Sequence, residues 1–349
     1  MSYTITPLDP QGHQSALLDL WSRNFPGAGA ARFHWLYEHG PAHGWIAHRQ
    51  GGEVVGGAGL MRRRMVVFGE TVTAGQAIDL NVDRRHRAFG PARALEGAVS
   101  AAVADGALGL IYALPNRQSE AIFRRAGYRE VGCLERWVRP LRWESVLRHR
   151  APASLPGRLL LRCADGLLAL CSRETFSPAP RRLRAEVQDG FDTRFDALWE
   201  RAAKNVRVAG ERTQAYLNWR FGSCPGAEHR VLGISNEDRE LLAYVVFSRH
   251  GDTVAIDDFL ALAPHGLDAA LQQLLRRVRG EGAHRVVAAF LGSPAVARRF
   301  RRFGFWRRPS EWKLVVQGEA GSEAALEDAL FDPANWHLTR ADIDTDEDE

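Results

Sequence analysis

The 349-residue chain has few lysines, few cysteines and no long apolar segment. Lys204 and Lys313 are its two lysines, so nearly all of the 46 basic residues are arginines. These arginines are spread along the chain, without the basic blocks and interleaved aromatic residues that are typical of nucleic-acid binding. The four cysteines form no C-x-x-C pair, which argues against the common zinc and redox motifs and predicts reduced thiols. We therefore predict neither a metal site nor a nucleic-acid partner.

The chain also lacks the segments that direct a protein into or across a membrane. No run approaches the ~20 apolar residues that span a bilayer. The first residues, MSYTITPLDPQGHQ, lack the basic and apolar blocks of a signal peptide. We therefore expect a cytoplasmic protein without a transmembrane segment. Residues 155–173 are rich in leucine and arginine at helical spacing, so peripheral membrane contact is one interpretation of them. Gly157, Asp165 and Gly166 favour the alternative, a connector packed across two domains.

The most informative pattern is a strand, a glycine turn and a helix between residues 77 and 103. The apolar strand AIDLNV ends at Val82, and apolar residues recur at helical spacing further on. A glycine lets an anion approach the backbone, and the free amides and dipole of a helix N-terminus attract negative charge. The pattern therefore predicts a pyrophosphate-binding turn. This R-x-x-G-x-A turn consists of Arg87, Ala88, Phe89, Gly90, Pro91 and Ala92.

This turn and a second pattern downstream resemble the GNAT superfamily of acyltransferases. The second pattern consists of Asn116, a small residue three positions later, and Gly127 followed by an aromatic residue at the end of a helix. Upstream, WIAHR, EVVGGAGL, RRMVVFG and AGQAIDLNV are predicted to be successive antiparallel strands. The resemblance covers residues 1–138 and implies an α/β fold, in which helices flank a mixed, largely antiparallel sheet.

The resemblance also implies what the first domain binds. In the family, the pantetheine arm of coenzyme A pairs with the exposed edge of the fourth strand, and the pyrophosphate lies on the turn. Carried over to this sequence, acetyl-CoA or another acyl-CoA is held by the end of the strand, the turn and the motif asparagine, with the Val82 amide facing the thioester carbonyl. The residues concerned are Leu80, Val82, Arg87, Ala88, Phe89, Gly90, Pro91, Ala92 and Asn116.

Asp79 is the candidate general base. Transfer to an alkyl amine requires the loss of a proton from a group whose pKa is ~10.4, and a carboxylate, or a water that it holds, can accept that proton. Asp79 is an acidic residue within an otherwise apolar strand, just before the turn, and a buried carboxylate is costly unless it has a partner. The alternative is a structural ion pair with one of the arginines at positions 62–64.

The general acid of the family is missing from its usual position. Many members carry a tyrosine seven residues after the motif asparagine, where it protonates the departing thiolate, and here that position is Phe123. Tyr128, or else Tyr112, is the candidate to replace it. Because a thiol has a pKa of only ~8.5, a coenzyme A thiolate is also a fairly good leaving group without a dedicated acid.

Several features recur in the second part of the chain. The hexapeptide FRRAGY returns as FRRFGF, and a tryptophan followed six residues later by proline occurs in both parts, at Trp35 and Trp219. The acidic strand residue Asp79 has a counterpart in Asp257. Because the length also exceeds that of a usual single domain, the sequence predicts two tandem GNAT-like domains.

The second domain lacks the cofactor turn. Its counterpart, APHGLD at 263–268, has one glycine and no arginine, and Ser293 replaces Asn116. We therefore predict that this domain binds no coenzyme A and helps to form the acceptor site. The alternative is that its landmark residues only maintain the shared fold. The residues expected to face the acceptor are Trp219, Arg220, Asp257 and Asp258.

These observations divide the chain into four parts. The last part ends in an acidic run that contains Asp342, Asp344 and Asp346. It lacks the glycine and the distal glutamate of a calcium loop, so we expect a solvated tail, with Trp336 anchoring its start. The parts are an N-terminal GNAT domain at 1–138, a helical connector at 139–204, a degenerate GNAT-like domain at 205–318 and a C-terminal extension at 319–349.

The function that the resemblance implies is acyl transfer from acyl-CoA to an amine of a small molecule bound near the cleft between the domains. The paired architecture is similar to that of mycothiol-synthase-like and FemAB-like enzymes and of GNAT proteins found with exopolysaccharide systems, so an amino sugar or a cell-envelope precursor is the expected acceptor. The missing tyrosine favours an alternative, a non-catalytic acyl-CoA-binding or scaffold protein. The dispersed basic charge argues against a third class, aminoacyl transferases that use charged tRNA.

Overall fold

A computed structural model describes residues 3–25, 28–104, 108–142, 172, 174, 182–226, 228–318 and 328–344. We call residues 3–142 the first half and residues 182–344 the second half. The strands of the first half are β1 (Tyr3–Pro7), β2 (Ala42–Arg49), β3 (Val54–Val67), β4 (Glu70–Val82), β5 (Leu110–Ala113), β6 (Arg129–Cys133) and β7 (Glu135–Pro140). Its helices are α1 (Pro10–Asn24), α2 (Ala30–Phe33), α3 (Pro91–Ala104) and α4 (Glu120–Arg125), with a π-helical turn at His34–Glu38 and a 3-10 turn at Arg84–Phe89.

The second half repeats this alternation of strands and helices. Its strands are β8 (Arg184–Gln188), β9 (Val208–Gly210), β10 (His229–Ser235), β11 (Leu241–His250), β12 (Thr253–Ala261), β13 (Arg285–Gly292), β14 (Trp306–Arg308), β15 (Lys313–Gly318) and β16 (Trp336–Leu338). Its helices are α5 (Thr193–Ala203), α6 (Gln214–Leu217), α7 (Pro264–Gly280) and α8 (Pro294–Arg302), with a π-helical turn at Asn218–Gly222 and 3-10 turns at Pro333–Asn335 and Arg340–Asp342.

The described strands join into one sheet of 16 strands, and helices pack on both of its faces. On β3, the side of Gly56 faces Leu95 of α3, and the side of Gly57 faces Leu17 of α1. Neighbouring residues of a strand point to opposite faces, so the two helices cover the two faces of the first half. The pairs β4–β5, β12–β13 and β9–β16 are parallel, and the other described pairs are antiparallel. The predicted α/β fold with a mixed, largely antiparallel sheet is confirmed.

One strand prediction was wrong. EVVGGAGL and RRMVVFG were predicted as two strands, but they form the single strand β3, which pairs with β4 from Gly56 to Val67. The glycines do not end the strand. They lie where the strand is crowded by side chains from both faces, since a Cβ on Gly56, Gly57 or Gly59 would press against a neighbouring side chain.

The internal repeat appears as a shared local structure. In each half a short helix, α2 or α6, runs directly into a five-residue π-helical turn whose second residue is a tryptophan. These tryptophans, Trp35 and Trp219, stack on each other, with ring centroids 4.8 Å apart and planes 15° apart. Trp35 Nε1 also donates to the Trp219 carbonyl at 3.1 Å. The repeated residues therefore meet at the contact between the two halves.

The halves also exchange strands. β7 from the first half pairs with β13 and β14, and β15 from the second half pairs with β5 and β6. The strands on either side of residue 138 therefore belong to one continuous sheet, and the exact division of the chain into domains stays a prediction. The predicted connector at 139–204 is not purely helical, because β8 pairs with β10. Residues 155–173 lie outside the described residues, apart from buried Ser172.

The expectation of a solvated acidic tail was wrong for Asp342 and Asp344. Asp342 is buried and accepts a hydrogen bond of 2.6 Å from each of two arginines, Arg63 of β3 and Arg212 of the second half. Burial opposes its ionisation, but Arg212 and Arg63 hold the pKa of Asp342 well below its ordinary value. The sequence pattern did not show that arginines from both halves meet this carboxylate. Asp346 lies outside the described residues.

Within the described ranges, no helix has both the length and the apolar character needed to cross a bilayer. Among the same residues, no group of three or more His, Cys, Asp or Glu side chains is placed to hold a metal ion.

We expect Asp342→Asn to lower the free energy of unfolding by about 3 kcal/mol, because the change leaves two buried guanidinium groups without their shared counter-charge. Urea denaturation measures the difference. The matched control is Asp328→Asn, since Asp328 lies in the same C-terminal segment but is exposed. Equal stability of the two variants would contradict the assigned role of Asp342.

Candidate active site

The first half contains an open split between two parallel strands. β4 and β5 pair only from Ala74 to Gln76, and β4 continues to Val82 without β5 beside it. The register of β4 against β3 shifts at Asp79, a β-bulge that bends β4 away. Asp79 has a φ of 53°, which is rare for a residue other than glycine. In the part of the chain that the structure describes, no strand lies between the separated ends of β4 and β5.

The end of β4 turns backbone groups toward this split. The Asp83 amide donates to the Val55 carbonyl at 2.9 Å. Because backbone groups alternate between the two edges of a strand, Asn81 also faces β3, and Val82 faces away from it. The Val82 carbonyl accordingly accepts hydrogen bonds from the side chains of Asn24 and Arg87 rather than from β3. The Val82 amide thus lies on the strand edge at which the family resemblance leads us to expect the thioester.

The R-x-x-G-x-A turn connects this edge to α3. Gly90 is left-handed, with a φ of 92°, and a Cβ there would meet no atom within 4 Å. The first hydrogen bond of α3 is made by the Ala94 amide, so the amides of Ala92 and Arg93 precede the helical ladder. These features are typical of an anion-binding helix N-terminus, and the binding of a pyrophosphate there stays a prediction. The side chains of Ala88 and Phe89 lie outside the described part of the structure.

Asp79 lies in a small cluster of polar groups at the bulge. Tyr37 Oη donates to Asp79 Oδ2, and Arg32 Nη2 donates to Asp79 Oδ1, both at 2.8 Å. A side chain at Gly59 would overlap the Tyr37 hydroxyl, so this glycine lets the tyrosine reach the aspartate. The three arginines at positions 62–64 do not supply the partner, because Arg63 pairs with Asp342, Arg64 pairs with Glu211 and Arg62 is exposed.

The cluster has a distinctive charge state. Burial and the charge of Asp79 raise the pKa of Tyr37 well above its ordinary value, so Tyr37 remains a hydrogen-bond donor. Burial lowers the pKa of Arg32, but Asp79 and Asp344 outweigh burial and raise it, so Arg32 remains a cation. The Asp344 side chain lies 3.4 Å from Arg32 Nη2. Burial raises the pKa of Asp344 to about 6, with a further contribution from the charge of Asp79.

The other residues predicted for the first domain have the following contacts. The Asn116 side-chain oxygen accepts from the amides of Gln118 and Ser119, which fixes the turn before α4. Tyr128 Oη donates to Glu96 at 2.7 Å inside the core, and its ring packs against Phe123. Tyr128 therefore directs its proton to α3 in this structure, and its role as general acid stays a prediction.

The residues predicted to face an acceptor are engaged in packing and polar contacts, most of them within the second half. Trp219 stacks on Trp35, and Arg220 donates to the carbonyls of Arg340 and Ile343. Asp258 is fully buried and binds Tyr244 and Arg212. Asp257 lies at the bulge of β12, where Asp79 lies in β4, with Arg340 3.5 Å away. These contacts match the structural alternative, and a role in acceptor binding stays a prediction.

The second half has the same split, but the chain itself fills it. β12 and β13 pair only up to Ile256, just before the bulge. Beyond that point β16 pairs with β13, and His337 Nε2 donates to the Phe259 carbonyl of β12 at 2.9 Å. Gly292 is needed here, since a Cβ would collide with the Trp336 carbonyl. A C-terminal strand thus occupies the position that is open in the first half.

Sequence reasoning missed Arg32, Tyr37 and Asp344 as members of the site. Tyr37 follows the repeated tryptophan by two positions, so the repeat that identified Trp35 pointed to the correct segment. Arg32 and Asp344 carried no such signal. They are 312 residues apart and meet only because the C-terminal segment crosses both halves.

Comparison by sequence found no matching family model and no matching curated protein. Comparison by structure found solved proteins with the same fold. The chain is similar to a GCN5-related N-acetyltransferase from Anabaena variabilis ATCC 29413, with a TM-score of 0.65 and 14% identity over 90% of this chain and 72% of the other. It is also similar to an Enterococcus faecalis V583 protein described as a probable N-acyltransferase, with a TM-score of 0.64 and 12% identity over 91% and 72% of the two chains.

A third similar structure is Saccharomyces cerevisiae N-myristoyltransferase with bound myristoyl-CoA. Its TM-score is 0.55, with 12% identity over 90% of this chain and 82% of the other. These alignments extend over both halves of the chain. The chain therefore has the fold of the GNAT superfamily, as the sequence resemblance predicted. At these identities the likeness concerns the fold alone.

The buried pair of Glu96 and Tyr128 predicts a dependence of stability on pH. Burial raises the pKa of Glu96 from its ordinary value of 4.5 to about 8, so Glu96 keeps its proton at neutral pH in the folded protein and loses it in the unfolded chain. Stability is therefore lost as the pH rises from 4.5 to 8, on the order of a few kcal/mol. Thermal unfolding of Glu96→Gln should lack this component. Glu70→Gln, at an exposed glutamate, should keep it, and parallel profiles for all three proteins would contradict the prediction.

Proposed function

We propose that the first half binds acyl-CoA and transfers its acyl group to an amine of a small molecule. The observation that carries the proposal is the open split between β4 and β5, with an anion site at the end of β4. A strand edge without a partner can pair with the amide groups of a pantetheine arm, as in β-strand addition. The left-handed Gly90 and the start of α3 then bind the pyrophosphate.

The residues at the bulge supply the chemistry of transfer. The Val82 amide is aimed toward the split, where it can donate to the thioester carbonyl and stabilise the negative charge that develops on attack. Asp79 accepts the proton of the attacking amine, directly or through a water. Tyr37 and Arg32 fix both oxygens of this carboxylate, so its orientation is set before substrate binds. The positive φ of Asp79 fits this role, because strained backbone is often retained at functional sites.

We further propose that one acyl-CoA binds per chain and that the second half has a supporting role. β16 fills the second split, and the turn at 263–268 has no arginine. For the acceptor, an amino sugar or a cell-envelope precursor remains our proposal, supported by analogy with other paired GNAT proteins.

A second candidate is a non-catalytic acyl-CoA-binding protein. Phe123 occupies the position of the usual acid and is buried, and the Tyr128 hydroxyl is engaged by Glu96. Phe123 and Tyr128 therefore offer no free hydroxyl that could protonate the coenzyme A sulfur. Incubation with acetyl-CoA and a panel of amines distinguishes the two candidates, because only an enzyme releases free thiol faster in the presence of an amine.

We expect Gly90→Asp to weaken acetyl-CoA binding at least about tenfold, or ~1.4 kcal/mol. Aspartate tolerates the left-handed backbone better than most residues, and its charge would repel the pyrophosphate. Calorimetry measures the dissociation constant and should give one site per chain. The matched control is Gly69→Asp, because Gly69 has the same φ of 92° and equally open surroundings at the opposite end of β4. Equal losses in both variants, or two sites, would refute this assignment.

We expect Asp79→Asn to lower kcat by about 100-fold or more, while the dissociation constant of acetyl-CoA changes little. Asparagine keeps the shape and tolerates the positive φ, but it cannot accept the proton. Single-turnover thiol release and calorimetry give the two quantities. If the variant instead loses thermal stability but keeps its activity per folded molecule, Asp79 is a structural residue and the base lies elsewhere.

A further inference from the structure

The C-terminal segment links the filled split of the second half to the open site of the first. We call residues 336–344 the C-terminal strap. The strap begins with β16, which pairs with β13 and β9 and contacts β12 through the His337 side chain. It turns at Thr339, which forms a capping box with Asp342. The next fixed point is Asp342, which is bound by arginines from both halves. Asp344, two residues further on, lies in the polar cluster around Asp79.

Between Arg340 and Asp344, one arginine from each half binds the backbone of the strap. Arg220 donates to the carbonyls of Arg340 and Ile343, at 3.3 and 3.0 Å. Arg32 Nη1 donates to the Asp344 carbonyl. The position of the Asp344 side chain is therefore set by backbone contacts on either side of it, as well as by its own charge.

One guanidinium group serves two carboxylates. Arg32 Nη2 is 2.8 Å from Asp79 Oδ1 and 3.4 Å from Asp344 Oδ2. The Asp79 side chain is 5% exposed, and those of Arg32 and Asp344 are each 16% exposed, so the cluster is largely shielded from water. Charges interact more strongly in such surroundings than in water.

We propose that Asp344 is a positioning residue that shares Arg32 with Asp79 and thereby keeps Asp79 able to accept a proton. An arginine paired with Asp79 alone would stabilise the carboxylate and oppose proton uptake. A second negative charge on the same guanidinium offsets part of that effect. The inference rests on the proposed function, in which Asp79 is the base.

The charged and titratable groups around Asp344 come from four elements. They are Arg32 from α2, Tyr37 from the first π-helical turn, Asp79 from β4 and Arg220 from the second π-helical turn. Burial raises the pKa of Asp344 to about 6, although the charges of Arg32 and, to a smaller extent, Arg220 lower it. Above that pH Asp344 is charged and offsets Arg32. Below it Asp344 is neutral, and the charge of Arg32 acts on Asp79 alone.

The inference also gives the second half a role. Beyond the bulge of its β12–β13 pair lies β16, the strand that anchors the strap. The degenerate half thereby delivers a carboxylate to the site of the other half. The C-terminal strap is thus part of the proposed active site.

The test is the pH profile of kcat/KM for Asp344→Asn, measured with acetyl-CoA and glucosamine by thiol release from pH 5 to 9. We expect a lower plateau and an acidic limb that moves to lower pH, because the neutral side chain leaves Arg32 to Asp79 at every pH. A purely structural role would lower the plateau and leave the limb in place, and that outcome would overturn the inference. Asp328→Asn is the control and should match the wild type.

A second measurement does not depend on turnover. Because the pKa of Asp344 is raised in the folded state, its contribution to stability is lost as the pH rises through about 6. The melting temperature of Asp344→Asn relative to that of the wild type should therefore rise between pH 5 and 7. A difference in melting temperature that does not change with pH would show that the Asp344 side chain is not buried in the cluster. If the wild type releases no thiol with any amine, the proposed function fails together with this inference. If the wild type is active but Asp344→Asn leaves the acidic limb of the pH profile at the same pH, this inference fails and the proposed function stands.

Discussion

The structure depends on a buried carboxylate that is shared by two arginines from different halves of the chain. Asp342 binds Arg63 of β3 and Arg212 of the second half, and none of the three side chains is more than 3% exposed. Removing one partner of such a group leaves a buried charge unbalanced, so each member fixes the other two. Because Asp342 belongs to the C-terminal segment, this interaction joins three distant parts of the chain.

This interaction explains why the two similar halves differ in structure beyond their bulges. Both halves have a parallel strand pair, a bulge that contains an aspartate and a π-helical turn with a tryptophan. In the second half the C-terminal segment fills the split beyond the bulge, and Asp342 fixes that segment in place. The corresponding split of the first half stays open. The asymmetry therefore comes from which split the chain end occupies, in addition to the loss of a turn motif.

The bulge in the first half shows how the fold sets up the polar cluster. Asp79 has a left-handed backbone, and Tyr37 reaches it only because Gly59 leaves room for the hydroxyl. Arg32 then fixes the second oxygen of the carboxylate. A substitution at any of these positions would change the orientation of Asp79, although only Asp79 lies beside the turn in the sequence.

The sequence by itself determined the fold class, the repeat and the position of the glycine turn, because these depend on local patterns. Strand and helix periodicity, the R-x-x-G-x-A turn and the recurrent tryptophan are all readable within short windows. β3 was divided wrongly, since its glycines mark close packing by α1, α3 and Tyr37, and packing partners cannot be read locally.

Only the tertiary structure decided which charged residues meet. Arginine is abundant in this chain, so composition could not indicate that Asp79 pairs with Arg32 rather than with its neighbours at 62–64. The exchange of β7 and β15, the filling of the second split and the burial of Asp342 and Asp344 all join residues that are far apart in sequence. Such contacts depend on the geometry of the whole sheet. An acidic composition suggests a solvated tail, but these aspartates lie within the fold because buried arginines pair with them.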